Sequence, residues 1–227
     1  MTSRIEKHGR VGTAIVPMAG YKKNMSTIAV ISLYGNQPNT ALAAISTIVM
    51  ANQADMEIFN CQAGRFPRPK KYDGYIVTGG MGAPNESVPW RVRLQAAIPE
   101  WAKSRPIFGI GLSFQIMAAA YGWPVRPLAQ PRDGIFPLTP TPAGSSDPLM
   151  VDLGHSTPVF EQRNWAVLPP PAATRSKSVV LAYTSNGGVA AARFNRYAAG
   201  TIFHPETRTN GTADTILARF VTGISDQ

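Results

Sequence analysis

The stretch Pro106-Ile107-Phe108-Gly109-Ile110-Gly111-Leu112-Ser113-Phe114-Gln115-Ile116-Met117-Ala118-Ala119-Ala120-Tyr121-Gly122 passes from one kind of segment to another with no linker between them. Its first five residues suit a strand buried on both faces of a parallel sheet. The alanine-rich run after Gly111 suits a helix, and Gly122 suits its C-terminal end. A strand that turns at once into a helix makes an elbow. The apex of such an elbow is held in a strained backbone conformation that glycine adopts without a Cβ clash.

Working outward, the same alternation recurs upstream. Ile28 to Leu33 is an apolar run closed by Tyr34-Gly35-Asn36, and Asn39-Thr40 can cap a helix over Ala41 to Met50. Met56 to Asn60 reads as a second strand. Tyr75-Ile76-Val77 reads as a third, running into the glycine-rich turn Thr78-Gly79-Gly80-Met81-Gly82. Trp90 to Lys103 places Leu94, Ala97, Ile98 and Trp101 on one helical face. The series predicts an α/β fold with a mostly parallel, doubly wound sheet flanked by helices.

Downstream the pattern loosens. Between Trp123 and Pro171 prolines and glycines are dense, and the short apolar pieces Gly134 to Leu138 and Trp165 to Leu168 predict small antiparallel strands beside the main sheet. Val179 to Tyr183, Val189 to Phe194 and Gly200 to Phe203 read as three late strands. Thr212 to Thr222 reads as a terminal helix with Ile216, Leu217 and Phe220 inward. No repeat and no second core is visible, so the expected division is a basic N-terminal extension, residues 1–25, and one domain, residues 26–227.

Composition bounds the function classes. The 227 residues are 44% hydrophobic and 15% charged, the profile of a folding, soluble chain rather than a disordered one. No apolar run reaches the roughly 18 residues of a membrane span. The N-terminus lacks a secretory pattern, and the single cysteine, Cys61, has no partner for an internal disulfide, which together predict a cytoplasmic location. Of the net charge of +9, residues 1–24 supply five basic groups against Glu6 alone. The remaining basic residues are scattered, which argues against nucleic-acid binding. The arm bears a loose likeness to an organellar import peptide but has no amphipathic period. Met25, just before the first strand, is an alternative start to Met1.

Three segments in order carry a likeness to a known family: Asp73-Gly74-Tyr75-Ile76-Val77-Thr78-Gly79-Gly80-Met81-Gly82, the elbow, and Gly200-Thr201-Ile202-Phe203-His204-Pro205-Glu206. They resemble the Gly-Gly-x-Gly oxyanion loop, the Gly-x-Cys-x-Gly-x-Gln elbow and the Phe-His-Pro-Glu segment of class I glutamine amidotransferases, of the GMP synthase glutaminase type. The resemblance spans about Ile28 to Phe220 and implies a flavodoxin-like fold. It also implies the family's chemistry: a cysteine thiolate attacks the glutamine amide, a histidine relays the proton, a glutamate orients the histidine, and ammonia passes to a synthetase. On this likeness His204 takes the histidine's place and Glu206 the glutamate's. Gln115 matches the elbow glutamine, Gly79 and Gly80 match the oxyanion loop, and Leu112 follows the nucleophile and supplies its backbone N–H. Gly111 falls on the nucleophile itself, and Ser113 replaces the next motif glycine.

A glycine has no atom that can attack a carbonyl, so the expectation is a degenerate amidotransferase-like protein with a binding, regulatory or scaffolding role. Its expected ligand is glutamine or a related small amino acid, and its expected protein partner is a synthetase or another subunit. One alternative is an ammonia-donating glutaminase subunit whose cysteine has been substituted. Another is an interaction subunit that uses the basic arm. Ser113, two residues past the apex, should point along the first helical turn and serve packing or capping. Cys61 reads as a small buried hydrophobe. Trp90, Trp101, Trp123 and Trp165 read as packing, and His8 and His155 have no ligands around them, so neither metal nor cofactor is predicted.

Overall fold

The computed structural model describes residues 25–35, 39–175, 177–185, 188–207 and 215–225. The expectations placed on residues 1–24 lie outside these. The elements follow the order β1 (Thr27–Leu33), α1 (Thr40–Ala51), β2 (Asp55–Asn60), β3 (Gly74–Gly80), α2 (Pro89–Trp101), β4 (Ile107–Ile110) and α3 (Leu112–Ala120). Then come β5 (Val125–Pro140), α4 (Pro142–Ser145), β6 (Thr157–Val167), α5 (Ala172–Arg175), β7 (Val179–Thr184), β8 (Val189–Arg193), β9 (Ala198–Thr201) and α6 (Thr215–Ser225).

One sheet of nine strands carries the structure, in the order β2-β1-β3-β4-β9-β8-β7-β5-β6. The five strands from β2 to β9 are parallel neighbours, a doubly wound arrangement. The apolar runs read from the sequence lie here: Ile28 to Ile31, Ile76, Val77 and Ile107 to Ile110 are buried, because helices cover the parallel sheet. Asn39 caps α1 as its residue type predicts, its side-chain oxygen accepting from the N–H groups of Ala41 and Leu42 at 2.8 and 3.1 Å. Helix α1 packs against α6, and α2 against α3.

The antiparallel part is larger than the small addition expected. The pairs β9·β8, β8·β7, β7·β5 and β5·β6 are all antiparallel, so the sheet is mixed rather than mostly parallel. The two short apolar pieces belong to long strands, β5 of 16 residues and β6 of 11. Prolines concealed β5. Pro137 faces Pro158 across the ladder, a pairing in which neither residue has an N–H to donate, and a register shift between Pro127 and Arg132 accommodates Pro131. Helix α2 stops at Trp101, two residues short of the expected Lys103, and α6 runs to Ser225 rather than Thr222. No helix among the described residues is long and apolar enough to cross a membrane.

Candidate functional site

The C-terminal ends of β3, β4 and β9 converge on one cleft, where doubly wound sheets hold ligands. Strand β4 ends at Ile110, and Gly111 makes the turn with φ +54° and ψ −112° before α3 begins at Leu112. The turn is pinned by the Gly111 N–H, which donates to the Thr201 carbonyl of β9 at 2.9 Å. Ser113 pins it again. Its buried hydroxyl accepts from the Ile110 N–H at 2.7 Å and donates to the Val77 carbonyl of β3 at 2.6 Å. The side chain is thus used in joining β3, β4 and α3, the packing role read from its place in the helical turn.

His204 follows β9, its N–H held at 2.9 Å by the carbonyl of Phe160 on β6. Nδ1 of the imidazole lies 2.9 Å from Oε1 of Glu206, which is buried. A carboxylate only accepts, so Nδ1 is the donor, and in the neutral imidazole Nε2 keeps its lone pair. That lone pair faces the elbow: a Cβ built on Gly111 would lie 3.1 Å from Nε2 and 3.2 Å from Cε1 of His204. The oxyanion-loop candidates stand on the other side. A Cβ on Gly79 would meet Cε1 of His204 at 2.8 Å and Oη of Tyr34 at 2.9 Å, and one on Gly80 would meet the Leu33 carbonyl at 2.8 Å. At Gly80 the obstructing atoms include backbone, so only a residue without a side chain fits there, whereas at Gly79 they are the ends of two side chains. Burial, with the charge of Glu206 second, pushes the Tyr34 hydroxyl well above its ordinary range, so it remains a neutral donor.

The structure therefore brings Gly79, Gly80, Gly111, Leu112, Gln115, His204 and Glu206 together. The Leu112 N–H is one of the first-turn donors that a helix leaves without an internal acceptor. Gln115, 3% exposed, faces the same cleft. Cys61 lies elsewhere, just past β2, with Sγ donating to the Ser32 carbonyl and burial pushing its thiol up to about 12.

The cleft has a volume of about 510 Å³, within the range of small-molecule sites. Its far wall is built by residues that the sequence reading did not select: Phe160, Arg163 and Trp165 of β6, and Arg132 of β5. Trp165, read as packing, lines this cleft. The overlooked signal was Glu161-Gln162-Arg163, where charge alternates with the period of a strand and the two charged residues turn inward.

The class-I glutamine amidotransferase model matches residues 39–224. No curated protein matches the sequence. Among solved structures, a candidate GMP synthase component from Thermoplasma acidophilum superposes with a TM-score of 0.69 at 19% identity, covering 89% of this chain and 94% of its own. A glutamine amidotransferase from Thermotoga maritima gives 0.67 at 15% identity, covering 88% and 83%, respectively. Another from Methylobacillus flagellatus gives 0.67 at 16%, covering 89% and 92%. At these identities the likeness is one of fold.

Proposed function

The chain belongs to the class-I glutamine amidotransferase family, and from that premise we propose that it keeps the family's cleft as a binding site while lacking the nucleophile for glutamine hydrolysis. Gly111 stands at the apex of the elbow, and this observation carries the reading: the imidazole of His204, oriented by Glu206, points its free Nε2 at a residue with no side chain. A base with nothing to deprotonate starts no acyl transfer. The Leu112 N–H and the loop of Gly79 and Gly80 provide donors and space for a carbonyl or carboxylate, and recognition through such groups needs no thiol. The role is then binding, regulation or scaffolding. Its ligand is glutamine or a related small amino acid, and its partner is a synthetase or another protein of the same assembly.

The backbone at Gly111 supports a second, narrower reading. The turn keeps the strained φ of a nucleophile elbow, and the dyad is complete, as expected of an ammonia-donating subunit whose cysteine has been exchanged. One assay tests both: glutamate and ammonia release from glutamine by the chain as it stands and by Gly111→Cys. The new Cβ needs His204 to yield by a few tenths of an ångström, a shift within reach of a side chain that is 13% exposed. No release by the native chain and release by the variant supports both readings. Release by the native chain overturns the first, and inactivity of a folded Gly111→Cys removes the second.

A further inference from the structure

Inside the cleft wall, two guanidinium groups share a single carboxylate oxygen. Arg132 and Arg163 stand opposite each other in the β5·β6 ladder. Nε of Arg132 donates to Oε2 of Glu161 at 2.6 Å, and Nε of Arg163 donates to the same oxygen at 2.7 Å. Both arginines are 6% exposed and Glu161 is 1% exposed, so the group buries two positive charges against one negative. Burial pulls the Arg163 guanidinium down from its ordinary range, a sign that one carboxylate incompletely offsets the desolvation. Oε1 of Glu161 is buried with no partner among the described residues.

The remaining donors point to what would complete the group. Nη2 of Arg132 reaches Ser185 Oγ at 3.3 Å, and Nη1 of Arg163 reaches the Trp165 carbonyl at 2.8 Å. Nη1 of Arg132 and Nη2 of Arg163 have no acceptor among the described residues, although both side chains line the cleft. Arg132 is further fixed by Phe136, whose ring centroid lies 3.7 Å from the guanidinium carbon. A triad that served only to join two strands would close its forks on protein acceptors. This one leaves two fork donors without an acceptor among the described residues, on side chains that line the cleft and are largely out of water, where a charge-assisted pair is strongest. Asp133 and Gln162 also line the cleft, at its exposed rim, where the Gln162 amide donates to the Asp133 carboxylate at 3.2 Å, leaving the cleft wall with two arginines against this one hydrogen-bonded carboxylate beyond Glu161.

We infer that Arg132 and Arg163 are the carboxylate-holding residues of the cleft, and that its ligand is an amino-acid-sized carboxylate spanning from this pair toward His204. Phe160, which holds the His204 backbone, lies three residues from Arg163 along β6, about 10 Å at strand spacing. A five-carbon chain with polar ends reaches most of that distance. The inference rests on the reading of the cleft as a binding site but not on the fate of glutamine within it.

Calorimetric titration of the native chain with glutarate, glutaramate and glutaramide tests it, since the three share a carbon chain and carry two, one and no carboxylates. Glutarate is expected to bind at least about tenfold more tightly than glutaramide, and more weakly as salt rises from about 20 to about 300 mM. Arg163→Gln is expected to remove that preference. Where the variant fails to fold, the charge series on the native chain decides alone. Equal binding of glutaramide, absence of glutarate binding at about 10 mM, or an unchanged preference in folded Arg163→Gln would each overturn the inference. The glutaminase assay is independent of all three, so the two proposals fail separately.

Discussion

At the scale of the residue, the glycines of the site differ in what confines them. At Gly200 an added Cβ would lie 2.4 Å from the backbone carbonyl of Gly109, which the parallel ladder cannot move. Gly200→Ala is therefore expected to lower stability by about 1–3 kcal/mol, read as a fall in the urea midpoint. At Gly79 the obstructing atoms are the tips of His204 and Tyr34, which can swing. Gly79→Ala is expected to leave the midpoint nearly unchanged but to displace the imidazole, visible as a shift of the His204 ring resonances. An equal loss of stability in both variants would contradict this distinction. The sequence showed the glycines and their order. It did not show that Gly79 is confined by the histidine and Gly80 by β1, because those neighbours come from distant segments.

Among the elements, the β5·β6 ladder has the most concentrated charge. Removing the carboxylate with Glu161→Gln leaves two buried guanidiniums without a counter-ion, a change expected to cost about 3–5 kcal/mol and to be measurable by chemical denaturation. A loss within a few tenths of a kcal/mol would mean that the triad is not an ionic unit. The parallel strands were legible because each is a short apolar run closed by a turn, and α1 because Asn39 precedes its first turn. Strand β5 was not legible as a long strand. Its prolines and Gly134 erase the period-two pattern, and their tolerance follows from pairing with β6 in a shifted register, with β7 joining only at Leu138 to Pro140. The far wall of the cleft was missed with it, while the wall made by the elbow and by His204 was read because three motifs recur there in order.

For the molecule as a whole, buried acids of high pKa set the alkaline limit. Burial pushes the Cys61 thiol from 9.0 to about 12 and the Tyr121 hydroxyl from 10.0 to about 12, and raises Tyr34, Tyr72 and Tyr75. A group whose pKa is raised by folding stabilises the folded state fully below its unfolded pKa and loses that contribution as pH climbs to the folded value. Stability should accordingly hold up to about pH 8.5 and fall between there and about pH 12, with ionisation of the four raised tyrosines and loss of structure rising together. Ionisation of Tyr121 at about pH 10 in a still folded chain, identified by its loss from the absorbance titration in Tyr121→Phe, would contradict it. The sheet's topology also dictates a schedule of assembly. Strand β4, which carries the elbow, finds its second neighbour only in β9, residues 198–201, after the whole antiparallel half has been laid down. Until then a ribosome-bound chain presents β4 as a bare, apolar edge, the kind of surface on which nascent chains stick to one another. His204 arrives with β9, so the site is assembled last, and a chaperone that shields residues 107–110 would act during that interval.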